Sequence, residues 1–360
     1  MGKRILYVVP HRYNRCPGQR FRCEHFIPYL QNKGYSTTYS PLLSEWDDAY
    51  FYKKGAYFFK LIIVLKAFFR RIRDVRQASN YDIVFIYREA FMLGTTMFER
   101  AFAKKSCKII FDFDDSIWLP DTSEGNQNLA WLKRPQKLNT ICALADLVIA
   151  GNDFLAEYAK QYATNVVVIP TTINTHYHLP NTTPKKKDKI CIGWTGTETT
   201  HKHLAILEPV LARLNGMFPN KLTYMIISNK PYNSSTIAFQ WKQWSPETEI
   251  TDLQDIDIGI MPLPNDEWSK GKCGFKGLQY MALEIPTIMS PVGVNTQIIT
   301  DGVNGFLAET DDEWFDVLCE LINNENTRKT IGTQGRKTII KRYSVDAFVE
   351  KYIALFHKLV

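Results

Sequence analysis

Residues 272–314 read KCGFKGLQYMALEIPTIMSPVGVNTQIITDGVNGFLAETDDEW. The stretch opens as a glycine-containing loop with two lysines, Lys272 and Lys276, and runs into a short helical pattern, GFKGLQYMALE. A turn at Pro286 then delivers a short apolar strand, PTIMS, ended by Ser290 and Pro291. Gly293 lies in the loop beyond, and the turn glycines Gly302 and Gly305 lead into a weaker strand, NGFLA. Loop, helix, buried strand and loop in so short a span are the units of a parallel sheet wound with helices.

The same alternation extends in both directions. Upstream lie the strands KICIGW, LTYMIIS and IDIGIMP, with the helical pattern HKHLAILEPVLARLNGMF between the first two. The N-terminal half repeats the scheme with RILYVVP, YDIVFIY, KIIFDF, LADLVIAG and NVVVIP, and with the helix-like RCEHFIPYLQNKG. At Pro170 the pattern breaks into TTINTHYHLPNTTPKKKDK, polar, proline-containing and basic, which reads as a linker. The expected class is therefore α/β, with two Rossmann-like domains, mostly parallel doubly wound sheets, and a cleft at the carboxyl ends of both. The expected boundaries are 1–168, a linker at 169–187, and 188–342. The helical pattern of 343–360, SVDAFVEKYIALFHKLV, is expected to pack back on the first domain.

Length and composition agree with two packed domains. The chain has 360 residues, 45% hydrophobic and 22% charged, which excludes a largely disordered chain, a disulfide-stapled miniprotein and a collagen-like repeat. No stretch is apolar enough for a transmembrane span, and MGKRILYVVP reads as a first strand rather than a signal peptide. Seven scattered cysteines without a CxxC pair suit reduced thiols, a cytoplasmic location and no structural zinc. The formal charge of +7 equals the surplus of 50–79 alone, where eight basic residues accompany one acid, Asp74. The rest is balanced, so no nucleic-acid partner is expected.

Several residues carry possible chemistry. Asp112, Asp114 and Asp115 follow an apolar strand in FDFDDSIW. One of them can simply cap the next turn. The group also suits a metal ion, as in Asp-x-Asp pairs, or, as acceptors, sugar hydroxyls. The run further resembles the nucleophile motif of haloacid-dehalogenase phosphatases, although that motif normally sits on a domain's first strand and two strands are expected before this one. His11, after the first strand, is the better cleft histidine, whereas His201 and His203 read as helix-start residues. Gly18, Arg20 and Arg88, with Arg12, Arg15, Arg22 and Glu89 nearby, are candidates for reading an acceptor.

The segment 253–308 resembles the donor-binding region of the retaining glycosyltransferases of family 4, which have the GT-B fold. CIGWTGTETTHKHL is similar to that family's first strand, loop and helix of the second domain, and VVPHRYNRCPGQRFRCEHFIPYL to its first-domain loop after strand one. The resemblance implies transfer of a hexosyl group from a nucleotide diphosphate sugar, such as a UDP- or GDP-sugar, to a sugar acceptor, with retention and without a metal or other cofactor. It places Gln279 where the family has a glutamate on the nucleotide ribose, and Gly271 where it has a glutamate near the donor sugar. Asp266 or Glu267 is the substitute for the latter. Trp194 and Thr195 occupy the region of a missing arginine. The diphosphate would then fall to the backbone of Gly196 and Thr197 and to Lys202, Lys272 and Lys276, beside Gly293. Lys276 and the three aspartates are the catalytic candidates. Because the first glutamate is lost, a catalytically silent GT-B binding subunit stays open beside the enzyme, as does the Mg²⁺-dependent phosphatase.

Residues 50–79, YFYKKGAYFFKLIIVLKAFFRRIRDVRQAS, interleave eight aromatic with eight basic residues, and the basic ones do not fall on one helical face. Two readings stand: a core-facing helix with snorkelling lysines, or a patch for an anionic membrane surface. The second suits a lipid-linked sugar acceptor and a place at the inner face of the membrane.

Overall fold

Short β-branched runs that are apolar on both sides belong in a sheet covered on both faces. In the computed structural model, which describes residues 2–120, 124–182 and 188–360, these runs form two six-stranded parallel sheets. The chain divides into two units, Met1–Thr171 with Phe348–Val360, and Thr172–Ala347.

In the first unit the strands are β1 (Arg4–Val9), β2 (Ser36–Pro41), β3 (Ile83–Tyr87), β4 (Lys108–Phe113), β5 (Leu147–Ala150) and β6 (Val166–Val168). Their order is β2-β1-β3-β4-β5-β6, so the winding reverses between β1 and β3. The second unit contains β7 (Ile190–Gly196), β8 (Leu222–Ser228), β9 (Phe239–Gln243), β10 (Ile258–Met261), β11 (Thr287–Met289) and β12 (Phe306–Leu307). Here the order is β12-β11-β10-β7-β8-β9, with the reversal between β7 and β10. Loops leaving the carboxyl ends of strands at such a reversal diverge and leave room for a ligand.

Two strands go beyond the sequence reading. β2 (STTYSP) and β9 (FQWKQ) are half-wet edge strands whose polar residues mask the β pattern. Since β2 is a strand, three strands rather than two precede β4 and its aspartates. The expected linker also differs in extent. Residues 172–182 pack within the second unit: Ile173 exchanges backbone hydrogen bonds with Tyr343 and Val345, and the His178 carbonyl accepts from Arg336 at 2.8 Å. Residues 183–187 of that linker lie outside the described residues. The chain rejoins the first unit at Phe348, within the helix Val345–Leu359. There Tyr352 stacks on Phe26 with ring centroids 4.0 Å apart, and His357 Nδ1 meets the Tyr35 hydroxyl at 2.9 Å.

The basic aromatic stretch contains one long helix, Tyr57–Gln77. Its buried residues are Lys60, Ile63, Ala67, Arg71 and Asp74, a helical stripe that includes two cations. Arg71 donates to the carbonyls of Val9 (3.0 Å), Ser40 (3.1 Å) and Ala90 (2.6 Å) and pairs with Asp74 at 2.8 Å. Arg70 reaches the carbonyls of Pro41 and Leu42, and Lys60 donates to Gly125 O and Asn126 Oδ1, each at 2.7 Å. The guanidinium of Arg71 thus meets carbonyls at the ends of β1 and β2 and beyond β3, that of Val9 together with the Leu42 N–H. Arg71→Met removes this donor from all three carbonyls and from buried Asp74, which keeps Ser40 Oγ at 2.6 Å and the exposed Arg73 at 3.5 Å. It is expected to cost about 3–5 kcal/mol of unfolding free energy, read from urea denaturation followed by circular dichroism.

Candidate functional site

Each unit gathers polar side chains at the reversal of its strand order. In the first unit, β3 and β4 pair so that Tyr87 lies opposite Asp112, and the chain leaves β3 through Arg88. Arg88 has left-handed backbone (φ 61°), a conformation costly for a non-glycine residue and one held here by the bond from its N–H to Asp112 O at 2.8 Å. Its guanidinium pairs with Asp114 Oδ1 at 2.7 Å and Asp115 Oδ2 at 2.6 Å. The Tyr87 hydroxyl donates to the same Asp114 oxygen at 2.9 Å. Burial works against the Arg88 charge, but the two carboxylates hold its pKa well above the usual arginine range.

Gly18 lies directly over this cluster. A Cβ there would come within 2.7 Å of the Tyr87 hydroxyl and 3.2 Å of Asp114 Oδ2, so only glycine lets the backbone approach so closely. Gly18, Arg88, Asp114 and Asp115 are therefore brought together, and Tyr87 joins them. Tyr87 went unnoticed in the sequence because it ends an apolar run and reads as core. His11 borders the group. Burial, together with the charges of Arg15, Arg88 and Arg12, lowers its pKa to about 4, so it is neutral at pH 7.

Two candidates belong elsewhere. Asp112 is fully buried and bound in fork geometry by Arg22, at 3.0 Å to Oδ1 and 2.8 Å to Oδ2, and Arg22 also donates to Ile169 O. Burial pushes the Asp112 carboxyl up to about 6 against the opposing pull of Arg22. It holds the fold together and is corrected from a catalytic to a structural residue. Arg20 is likewise buried, reaching Asn14 Oδ1 at 3.3 Å and lying over the Phe21 ring. Arg12 and Arg15 pair with Asp48 and Glu89 with Lys137. Asp112 thus turns to Arg22 while Asp114 and Asp115 share Arg88, and among the described residues no group of three or more His, Cys, Asp or Glu is placed to hold a metal ion. With Asp112 paired and β4 the fourth strand, the dehalogenase-like nucleophile geometry is missing as well.

In the second unit the reversal lies between β7 and β10. β7 ends at Gly196 with the Trp194 indole buried beneath it, and Lys276 Nζ sits 5.4 Å from the Trp194 ring. Lys276 is on the helix Phe275–Ala282, tied to β7 by the Thr195 N–H, which donates to the Tyr280 hydroxyl at 2.8 Å. Lys272 lies over Trp268, at 5.5 Å. The residue on which these lysines converge is His203, in the helix His201–Ala205. It is buried, its Nδ1 has no hydrogen-bond partner, and its pKa falls to about 3 through burial and the charges of Lys276, Lys272 and Lys202. Sequence reading set His203 aside as a helix-start residue. Only burial between three lysines distinguishes it.

The remaining candidates of this unit are placed differently. Gln279 is buried, and its amide donates to Glu249 Oε1 at 3.0 Å, an interior pair instead of the expected ribose contact. The Thr197 N–H donates to Thr200 Oγ1 at 3.1 Å, so it is spent on a local cap and is withdrawn as a phosphate donor. Gly293 (φ 56°) packs against the Lys270 backbone, where a Cβ would come within 2.7 Å. Gly271 closes the short helix Glu267–Lys270, which Asp266 opens by accepting from the Ser269 N–H at 2.7 Å. Burial opposes ionisation of Asp266, but the bonds from Ser269 and the charge of Lys202 keep its pKa below the usual value. Glu267 is exposed and pairs with Lys270.

Comparison with known proteins agrees with this architecture. Residues 229–324 match the family described as glycosyl transferases group 1. An uncharacterized glycosyltransferase of Methanocaldococcus jannaschii is 40% identical over 73 residues, 20% of this chain and 20% of its own length. The capsular polysaccharide biosynthesis glycosyltransferase CapM of Staphylococcus aureus is 31% identical over 88 residues, 23% of each chain. These matches thus span about a fifth of the relatives' lengths. HepE of Anabaena, solved with UDP and glucose, aligns over 99% of this chain and 100% of its own with a TM-score of 0.67 at 14% identity. That likeness is one of fold, and the fold is GT-B.

The low pKa of His203 has a consequence for stability. Between its ordinary value of 6.5 and about 3 the unfolded chain binds a proton that the folded chain refuses. Protons therefore favour the unfolded state, and stability falls as pH drops through that window. From pH 7 to pH 5, the wild type is expected to lose about 1–2 kcal/mol more than His203→Gln, measured from urea midpoints at the two pH values.

Proposed function

We propose that this chain is a glycosyltransferase that moves a hexosyl group from a nucleotide diphosphate sugar to a hydroxyl of a sugar acceptor. The observation that carries the reading is the placement of Lys276 beside Trp194 and Lys272 beside Trp268 at the reversal of the second sheet, where buried His203 is kept neutral by burial and the charges of Lys276, Lys272 and Lys202. A group of lysines at the reversal of the sheet suits a diphosphate, and two of them lie within the segment matched to group 1 glycosyl transferases. HepE, which shares the fold, was solved with UDP and glucose, which supports a nucleotide-sugar donor. The capsular polysaccharide role in the name of CapM supports polysaccharide or glycan synthesis as the setting.

In this reading the second unit binds the donor and the first the acceptor. The acceptor oxygen attacks the anomeric carbon, the bond from that carbon to the β-phosphate oxygen breaks, and the nucleoside diphosphate leaves with the bonding pair. Its departing oxygen takes the acceptor proton on the same face, so the configuration is retained. The lysines stabilise the charge that grows on the leaving group, which lowers the barrier more than it favours the ground state. Asp114 and Asp115, held by Arg88 and Tyr87, accept hydrogen bonds from acceptor or sugar hydroxyls. The charge needed at the diphosphate comes from the protein's own lysines rather than from a metal.

Thermal shift with UDP, GDP, ADP and CMP tests the site and identifies the base: one of them should raise the melting temperature. Lys272→Ala and Lys276→Ala should each weaken that nucleotide about tenfold or more, the loss of one charge-assisted contact. Asp114→Asn should leave nucleotide affinity intact and lower transfer from the matching nucleotide sugar. Nucleotide binding without turnover of any nucleotide sugar would favour the silent-subunit reading, and turnover of p-nitrophenyl phosphate the phosphatase.

A further inference from the structure

The helix Tyr57–Gln77 buries Lys60 and Arg71 while four of its large apolar residues stay exposed, which is unusual for a soluble surface helix. Phe58, Leu61, Leu65 and Phe69, spaced three or four apart on one face, are 70%, 57%, 49% and 65% exposed. Trp46, on the neighbouring helix Glu45–Phe51, extends the apolar edge, with its ring 5.9 Å from Phe59 and Lys66 Nζ 4.1 Å above it. Two further cations, Arg73 and Arg76, stay exposed on the same helix. Its single carboxylate, Asp74, is buried against Arg71, so the helix shows no acid to the outside. Among the described residues no helix is long and apolar enough to cross a membrane.

We infer that this face is a docking surface for an anionic lipid bilayer, lying flat in the headgroup region with its apolar stripe inserted and its cations on the phosphates. Charge complementarity selects the occupant. An apolar stripe flanked by lysine and arginine, with no exposed carboxylate on the helix, matches an apolar layer rimmed by anionic headgroups. A second copy of the same face would instead bring like charges together. The indole of Trp46 beside Lys66 is the side-chain pairing favoured where water meets hydrocarbon. Buried Arg71 and Lys60 give the stripe a firm mount, since they hold the helix to the first unit from beneath. The inference is independent of the donor reading, because every residue it uses lies away from the lysine cluster in sequence and unit.

Co-sedimentation of the full chain with vesicles of equal parts phosphatidylglycerol and phosphatidylcholine, against vesicles of phosphatidylcholine alone, tests it. The wild type should pellet with the anionic vesicles and stay soluble with the neutral ones. Replacing Phe58, Leu61, Leu65 and Phe69 together by Ser should abolish pelleting while the melting temperature holds, since these side chains are exposed. Arg73→Glu with Arg76→Glu should weaken partitioning by about tenfold or more, and added salt should weaken it further. Three results would overturn the inference: a wild type that stays in the supernatant with anionic vesicles, a serine variant that still pellets, or a wild-type dimer in sedimentation velocity that the serine variant splits into monomers.

Discussion

Two buried guanidinium groups hold the carboxyl ends of the first sheet. Arg71 gathers carbonyls at the ends of β1 and β2 and beyond β3, and Arg22 clamps Asp112 at the end of β4 together with Ile169 O beyond β6. A parallel sheet covered on both faces can place polar chemistry only at its strand ends, and carbonyls buried there need donors. A charged fork meets several acceptors at once, which an amide or a hydroxyl cannot. Removing either arginine would take a charged donor from buried carbonyls and from a buried carboxylate, so the polar cluster of Arg88, Asp114 and Tyr87 rests on this scaffold.

The second sheet solves the same problem differently. Among the described residues, the buried cations Arg20, Arg22, Lys60 and Arg71 all belong to the first unit. At the reversal of the second sheet the cations are lysines with partial access to solvent, grouped around a buried imidazole that stays neutral. Positive charge is thus buried at the strand ends of one unit and only partly covered in the other.

The basic aromatic stretch shows how position changes the meaning of composition. Eight cations in 50–79 do not fall on one face. In the fold they divide: Lys60 and Arg71 are buried, Arg70 serves strand-end carbonyls, and others remain outside with the aromatic residues. A helix wheel cannot separate a cation that satisfies buried carbonyls from one that faces solvent, since the acceptors come from strands distant in sequence.

Local pattern alone determined the α/β class, the buried strands and the helix after Gly274, because apolar periodicity and turn residues act over a few positions. It missed β2 and β9, whose edge positions need no apolar run. It also could not sort the aspartates, since whether Asp112 or Asp114 is buried depends on Arg22 and Arg88 arriving from other strands and helices. Gln279 met Glu249, and His203 came under the charges of Lys272 and Lys276, because helices far apart in the chain pack together. Which residue types are present is a property of the sequence. Which of them are already paired is decided only when the chain closes on itself, because a hydrogen bond or an ion pair consumes a group that composition counts as available.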